Sequence, residues 1–236
     1  MDVLHELAAG GAEQGSAVLA GEQLEGRGSR GRSWHSPPGG LWLSVLFRPP
    51  VAQGLEVISL RAGLAVAEAM QPVVSEPLQL KWPNDLILQG RKLGGVLCEA
   101  RWQGESLGWV AVGVGVNVKN RVPDNLETST VSLAGSGIVP DLAVIADRIV
   151  ATLRKLELNG SELSPSELRR FAARDWLYGR TIREPIAGTV RGLSSDGALM
   201  VQPGAGPAIA LRSGSVTLAD SLTAGNFDHV ARTGHR

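Results

Sequence analysis

Val110 to Val118 reads VAVGVGVNV, and its alternation decides how the chain is built. Successive side chains of a strand point to opposite faces. Val110, Val112, Val114, Val116 and Val118 therefore share one face and form the wall of a core. Ala111, Gly113, Gly115 and Asn117 share the other, which is nearly bare and ends in an amide. A bare strand face either packs closely against a helix or forms a floor for a flat ligand, here with Asn117 reading polar edges. The stretch alone leaves both readings open.

Outward from this strand, hairpin signals repeat. Gln89-Gly90 is a turn between Leu86–Leu88 and Leu93–Ala100, and a second turn near Gly104 leads into Leu107–Val118. Further strands are expected at Ser16–Ala20, at Leu41–Phe47 before Pro49 and Pro50, and at Leu78–Trp82 before Pro83. A short helix over Asp2–Ala9 is ended by Gly10 and Gly11. Apolar residues at helical spacing predict helices over Gly54–Met70 and Asp141–Leu156. Ser164, Pro165 and Glu167 spell a capping box that starts a helix running to about Leu177. Strands joined by hairpins predict an α+β domain over residues 1–177, with a mixed or antiparallel sheet and helices. After Tyr178, short segments are punctuated by Gly188, Gly192, Asp196-Gly197, Pro203-Gly204 and Gly214, which predicts a small all-β module over residues 178–222. Residues 223–236 are polar and unpatterned, and are expected to be a disordered tail.

Composition narrows the function classes. The 23 basic side chains equal the 23 acidic ones, so no bulk charge favours nucleic acid or anionic lipid. Any anion site must come from local arrangement. Cys98 is the single cysteine, which precludes an intrachain disulfide and suits a reducing cytoplasm. No basic n-region opens the chain, and no apolar run approaches the roughly 20 residues of a membrane span.

Four segments could carry chemistry. Gly26 to Trp34, GRGSRGRSW, alternates glycines with Arg27, Arg30 and Arg32. Glycine lets backbone N–H groups approach a ligand, and arginine offers planar donors to carboxylate or phosphate. The same run also reads as a solvated basic loop or an RGG-like RNA segment. KWPNDL, Lys81 to Leu86, projects polar groups from a strand end, or is an ordinary turn in which Asn84 and Asp85 cap backbone. RKLGG, Arg91 to Gly95, places Lys92 ahead of two strand glycines, where it neutralises a phosphate or is simply a surface lysine. The fourth is the bare face of Val110–Val118.

Together and in this order, GRGSRGRSW, GGLWLS, KWPNDL, RKLGG and GVGVN resemble the biotin protein ligase family. GRTI and GTVRGLSSDGAL fall where that family has its small SH3-like barrel, so the resemblance covers nearly the whole chain. It implies a catalytic domain like that of class II synthetases. It also implies a two-step reaction, in which ATP and biotin give biotinyl-adenylate, and a lysine of a biotin carboxyl carrier domain then takes the biotin. ATP and Mg2+ are the implied cofactors, and a homodimer pairing through edge strands is open. By motif position, Gln23, Gly26, Arg27, Trp42, Ser44 and Gly95 line the biotin site. Lys92 contacts the carboxylate and α-phosphate and, with Arg27, is expected to be catalytic. Arg30, Arg32, Trp34, Asn84, Asp85, Gly113, Gly115 and Asn117 serve the nucleotide, and the metal site is left open, with Mg2+ on the ATP phosphates and Asp85 the residue nearest to it.

Two departures are expected to matter. The family loop usually reads Gly-Arg-Gly-Arg, whereas the fourth position here is Ser29, which predicts a less tightly held acyl-adenylate. The family's Ser-Thr-Asn-like element, which hydrogen-bonds biotin, should end roughly where Met1-Asp2 begins. Either the true start lies upstream, or biotin loses part of its polar cradle and is expected to bind more weakly. The length leaves no room for an N-terminal DNA-binding domain, so no DNA partner or repressor activity is expected. The competing readings are a lipoate or octanoate protein ligase, a non-catalytic biotin or adenylate binder, and an RNA-binding module.

Overall fold

The five valines of Val110–Val118 are all sealed in the core, none more than 2% exposed. The computed structural model describes residues 1–50, 52, 54–126, 129–138, 141–156 and 160–219. The expected tail at 223–236 lies outside the described residues. In chain order the first domain runs α1 (Asp2–Ala9), β1 (Ala17–Ala20), β2 (Leu41–Phe47), α2 (Leu55–Met70), β3 (Gln79–Lys81), β4 (Asp85–Leu88), β5 (Arg91–Gln103), β6 (Ser106–Val116), α3 (Leu142–Leu153) and α4 (Pro165–Ala172). Six strands form one sheet in the order β1-β2-β6-β5-β4-β3, every pair antiparallel. The sheet is thus the antiparallel member of the two expected alternatives, as hairpin connections require.

The two faces of the sheet are covered unequally, and this places the site. Twelve of the 16 residues of α2 are buried, and it packs with α3 in the same apolar cluster as the valine face. On the other face α1 covers one end only. Leu4 and Ala8 meet Leu46, Trp109 and Ala111 in a separate small cluster. Beyond that cluster, no α-helix among the described residues lies over this face of the strands that carry Gly95, Gly113 and Gly115.

The expected helix start at Ser164 is present. Ser164 Oγ accepts from the Glu167 N–H, and the Glu167 carboxylate accepts from the Ser164 N–H. The helix ends at Ala172, however, and not near Leu177. The reason is a competing pairing. The Leu80 N–H donates to the Arg174 carbonyl and the Trp176 N–H donates to the Leu80 carbonyl, so the chain leaves the helix to lie along β3. Asp175 Oδ1 then caps the Leu177 N–H.

The C-terminal module is a five-stranded antiparallel sheet of β7 (Thr181–Glu184), β8 (Gly188–Leu193), β9 (Leu199–Gln202), β10 (Ile209–Leu211) and β11 (Thr217–Leu218), ordered β10-β9-β8-β7-β11. Its buried Ile182, Val190, Leu199 and Val201 belong to the same apolar cluster as α2 and the valine face. The buried Trp82 Nε1–H donates to the Gly197 carbonyl at 3.0 Å. The change of character at Tyr178 therefore marks a new sheet and not a separate core.

Candidate active site

The uncovered face of β6 is a floor. Gly115 lies opposite Trp42 of β2 and Gly95 of β5, and Gly113 lies opposite Ser44 and Leu97. A Cβ on Gly115 would come within 2.7 Å of Trp34 Nε1, and one on Gly113 within 2.6 Å of Met1 Sδ. Glycine is needed here because an indole and a thioether rest directly on the strand. Above the floor opens a cavity of about 540 Å³, lined by the glycine-rich loop, the three strands and residues between 120 and 130.

Trp34 and Lys92 dominate this space. The Trp34 Nε1–H is buried and has no acceptor among the described residues. An unspent buried donor costs about 1–3 kcal/mol, so the indole is set to donate to something that enters. Lys92 Nζ lies 5.0 Å from the Trp34 ring centroid and 2.6 Å from Asp85 Oδ1. Both ends of that ion pair are largely buried. The register is fixed from behind, since the Lys92 N–H donates to the Ser129 carbonyl and its own carbonyl accepts from Val131. The outcome is one ammonium held over a glycine floor beneath an aromatic cover, which is what an oncoming anion needs.

The glycine-rich loop folds back on itself as a flap. Gln23 pairs with Ser36 and Arg27 with Ser33, while the Trp34 N–H donates to the Gly26 carbonyl at 2.8 Å. A Cβ on Gly26 would sit 2.2 Å from the Trp34 carbonyl oxygen, so only glycine lets the two arms approach. At the tip Arg30 adopts φ +62°, a left-handed conformation uncommon for a non-glycine residue.

The three arginines of the loop part company. Arg27 donates to both Asp2 carboxylate oxygens at 2.7 and 2.9 Å, and to Glu99 Oε1 at 3.0 Å. Arg32 donates to the Ser29 hydroxyl at 2.9 Å and to its carbonyl. Arg30 does not line the cavity. Its Nη1 reaches Ser215 Oγ of the C-terminal module at 3.3 Å, which corrects the expectation that Arg30 serves the nucleotide directly. The physical cause is the left-handed tip, which turns its side chain away from the floor.

Glu99 anchors Arg27 from β5. The Trp109 Nε1–H donates to His5 Nδ1 at 2.9 Å. His5 must therefore carry its proton on Nε2, which lies 2.9 Å from Glu99 Oε2 and donates to it. Burial pushes the Glu99 carboxyl up, but the hydrogen bonds from His5 and Arg27 and the Arg27 charge outweigh it, and the net shift is downward from 4.5. The Arg27 hydrogen bonds likewise hold Asp2 below its ordinary value, and the two carboxylates raise the guanidinium further.

Most of the other expected residues converge. Gln23, Arg27, Arg32, Trp34 and Ser44 line the cavity from the flap and β2. Asn84, Lys92, Gly95, Gly113, Gly115 and Asn117 line it from the other strands. Asn84 is pinned by its Nδ2 donating to the Val96 carbonyl at 2.8 Å. Gly26 is a correction, because it joins the two arms of the flap and does not itself line the cavity. Asp85 reaches the site only through Lys92. Trp42 is a correction, because its indole folds under Gly40 and its Nε1–H donates to the Pro37 carbonyl at 3.0 Å. It braces the turn that follows the flap and does not line the cavity. No group of three or more His, Cys, Asp or Glu side chains that could hold a metal by themselves occurs among the described residues, and Asp85 is engaged by Lys92.

One wall was not anticipated. Asn120, Val122, Pro123, Asn125, Leu126 and Thr130 close the cavity, brought in by a parallel bridge between Lys92 and Thr130. The signal available was the irregular run KNRVPDN directly after the bare strand, since loops at strand ends often carry function.

The chain is similar to known proteins over its length. Residues 2–117 match the Biotin/lipoate A/B protein ligase family. The chain is 34% identical over 220 residues to the bifunctional ligase/repressor BirA of Escherichia coli, covering 85% of this chain and 68% of that protein. It is 30% identical over 230 residues to the biotin--[acetyl-CoA-carboxylase] ligase of Mycobacterium tuberculosis, covering 91% of this chain and 83% of that protein. Among solved structures, the biotin protein ligase from Aquifex aeolicus in complex with biotin and ATP superposes with a TM-score of 0.74 at 28% identity, over 91% of this chain and 93% of that one. With the glycine floor, Lys92 and the flap in one cavity, the chain belongs to the biotin/lipoate A/B protein ligase family.

Proposed function

We propose that this protein is a biotin protein ligase, which activates biotin with ATP to biotinyl-AMP and passes the biotin to a lysine of a biotin carboxyl carrier domain. The observation that carries the reading is Lys92, a largely buried ammonium 2.6 Å from Asp85 Oδ1 and under Trp34, on the glycine floor. The relatives named as biotin ligases and the neighbour that binds biotin and ATP support the choice of substrates.

In the first step a biotin carboxylate oxygen attacks the α-phosphorus of ATP, and the bond to pyrophosphate breaks. Two anions must meet, and Lys92 offsets their repulsion at a distance where water no longer screens it. Asp85 holds the lysine extended toward the floor. In the second step the carrier amine attacks the acyl carbon and AMP leaves. The flap formed by Gln23–Ser36 shields the mixed anhydride from water. Magnesium would arrive as the nucleotide's own complex, held chiefly by the phosphates. A reducing cytoplasm suits the single Cys98 thiol, which burial pushes up to about 12.

The test is pyrophosphate release with ATP and magnesium, with biotin and lipoate compared as acids. Biotin-dependent release that falls on the order of a hundredfold in Lys92→Ala is expected. Release driven by lipoate and not by biotin would overturn the reading within the same family.

A further inference from the structure

At the end of the floor strand two buried amides are wired in series. The Val118 backbone N–H donates to Asn120 Oδ1 at 3.0 Å. Asn120 Nδ2 then donates to Asn117 Oδ1 at 3.0 Å. The sense of this chain is not free. A backbone N–H can only donate, so Asn120 must present oxygen to it and nitrogen to Asn117. Asn117 is obliged in turn to present its oxygen to Asn120, which leaves its Nδ2 as the end that faces away. Asn117 is 4% exposed and lines the cavity, and its bond to Asn120 uses the Oδ1 and not the Nδ2.

The main chain of Asn117 has nothing left to offer. Its N–H donates to the Leu93 carbonyl at 2.9 Å, and its carbonyl accepts from the Leu133 N–H at 3.1 Å. Any polar reading by this residue falls to the amide nitrogen. Asn120 is itself clamped. It is 4% exposed, the neighbouring Lys119 N–H donates to the Gly39 carbonyl at 2.8 Å, and a Cβ on Gly39 would sit 3.1 Å from the Asn120 nitrogen. The amide that dictates the sense is thus fixed by the turn that follows the flap.

We infer that Asn120 is a positioning residue that fixes the polarity of Asn117, so that the cavity offers an N–H donor there and selects a nucleotide whose base presents a ring-nitrogen acceptor. The inference rests on the proposed use of ATP at this site. A donor of this kind discriminates strongly, because a ligand that lacks the acceptor leaves the amide buried and unpaired.

The near-isosteric variant Asn120→Asp tests it. An aspartate still accepts from the Val118 N–H, but its second oxygen also accepts. Asn117 must then rotate to donate to it and turn its own oxygen to the cavity. Equilibrium binding of ATP and of its 1-deaza, 3-deaza and 7-deaza analogues is measured on both proteins, together with biotin binding and thermal melting. In the wild type, one deaza analogue is expected to bind about tenfold more weakly than ATP. In Asn120→Asp that preference collapses to about unity, and Asn117→Asp, which places an acceptor there directly, gives the same loss of preference. A merely structural role would weaken ATP and all analogues alike. Retained discrimination in folded Asn120→Asp overturns the inference, as does equal binding of ATP and every analogue by the wild type. If Asn120→Asp melts too low to titrate, Asn117→Asp that keeps the preference overturns it as well. Nucleobase discrimination without pyrophosphate release would sink the ligase reading and leave the relay standing.

Discussion

Glu99→Gln removes the one charge that holds Arg27 and His5 together. The wild-type carboxylate accepts from His5 Nε2 at 2.9 Å and from Arg27 Nε at 3.0 Å, with Arg101 at 3.5 Å. Glutamine has one acceptor oxygen and one NH2 group, and both of its main partners are donors. One of them must lose its bond. Hydrogen bonds to charged groups contribute roughly 1.5–3 kcal/mol when buried, but Arg27 is 39% exposed, which reduces the figure to about 2 kcal/mol. For a chain of this size that corresponds to a melting temperature lower by about 4–8 °C at pH 7. The folded carboxyl lies below 4.5, so its stabilisation is present above that value and is lost as pH falls through the folded pKa. The wild type and Glu99→Gln should therefore converge as pH is lowered below 4.5. Glu167 and Asp196 are also held low, but they lie outside this network and cancel in the difference, whereas Asp2 shares Arg27 and moves with it. Thermal unfolding followed by circular dichroism at several pH values decides. A gap that is absent at pH 7, or equally wide at acid pH, would refute the reasoning.

Three further perturbations follow from the same geometry. Gly115→Ala places a Cβ 2.7 Å from Trp34 Nε1 and must lift the indole. Because a 1 Å misplacement near the chemistry costs on the order of a hundredfold, kcat/KM for ATP should fall by tenfold or more with a shift in tryptophan emission. Gly26→Ala meets the Trp34 carbonyl at 2.2 Å, which is backbone and cannot give way. The flap should open, read as faster proteolysis within residues 26–34 and lost activity, with the core unaffected. Ser29→Arg adds the cation that the family loop usually has and removes the hydroxyl that accepts from Arg32. The acyl-adenylate should leave about tenfold more slowly and label fewer stray lysines, and an unchanged off-rate in a filter-binding chase would show that Ser29 does not set retention.

The two-faced strand was readable from one stretch because strand periodicity is local, although what covers its bare face was not. Five valines facing one way required a core, and four small residues facing the other required something close above them. Lys92 and Asn84 were ambiguous on their own motifs, which also fit a surface lysine and an ordinary turn, and only the order of the motifs placed them together. The misread residues depend on backbone choices that side-chain identity does not reveal. Arg30 leaves the cavity because its own φ is positive, and Trp42 because the turn at Pro37–Gly40 offers its indole a carbonyl. The wall at 120–130 is assembled by pairing Lys92 with Thr130, 38 positions away, and no local pattern encodes that distance. The Asn117–Asn120 relay has the right residues in plain view, yet its meaning appears only once the Val118 N–H is seen to fix its sense.

The central claim is the transfer of biotin to protein. The direct measurement is the intact mass of a purified biotin carboxyl carrier domain after incubation with this protein, ATP, magnesium and biotin. The account predicts a gain of one biotinyl group on a single lysine, dependent on ATP and lost with Lys92→Ala. An unmodified carrier in the presence of measurable biotin and ATP binding, or a carrier that gains lipoyl in place of biotin, would contradict it.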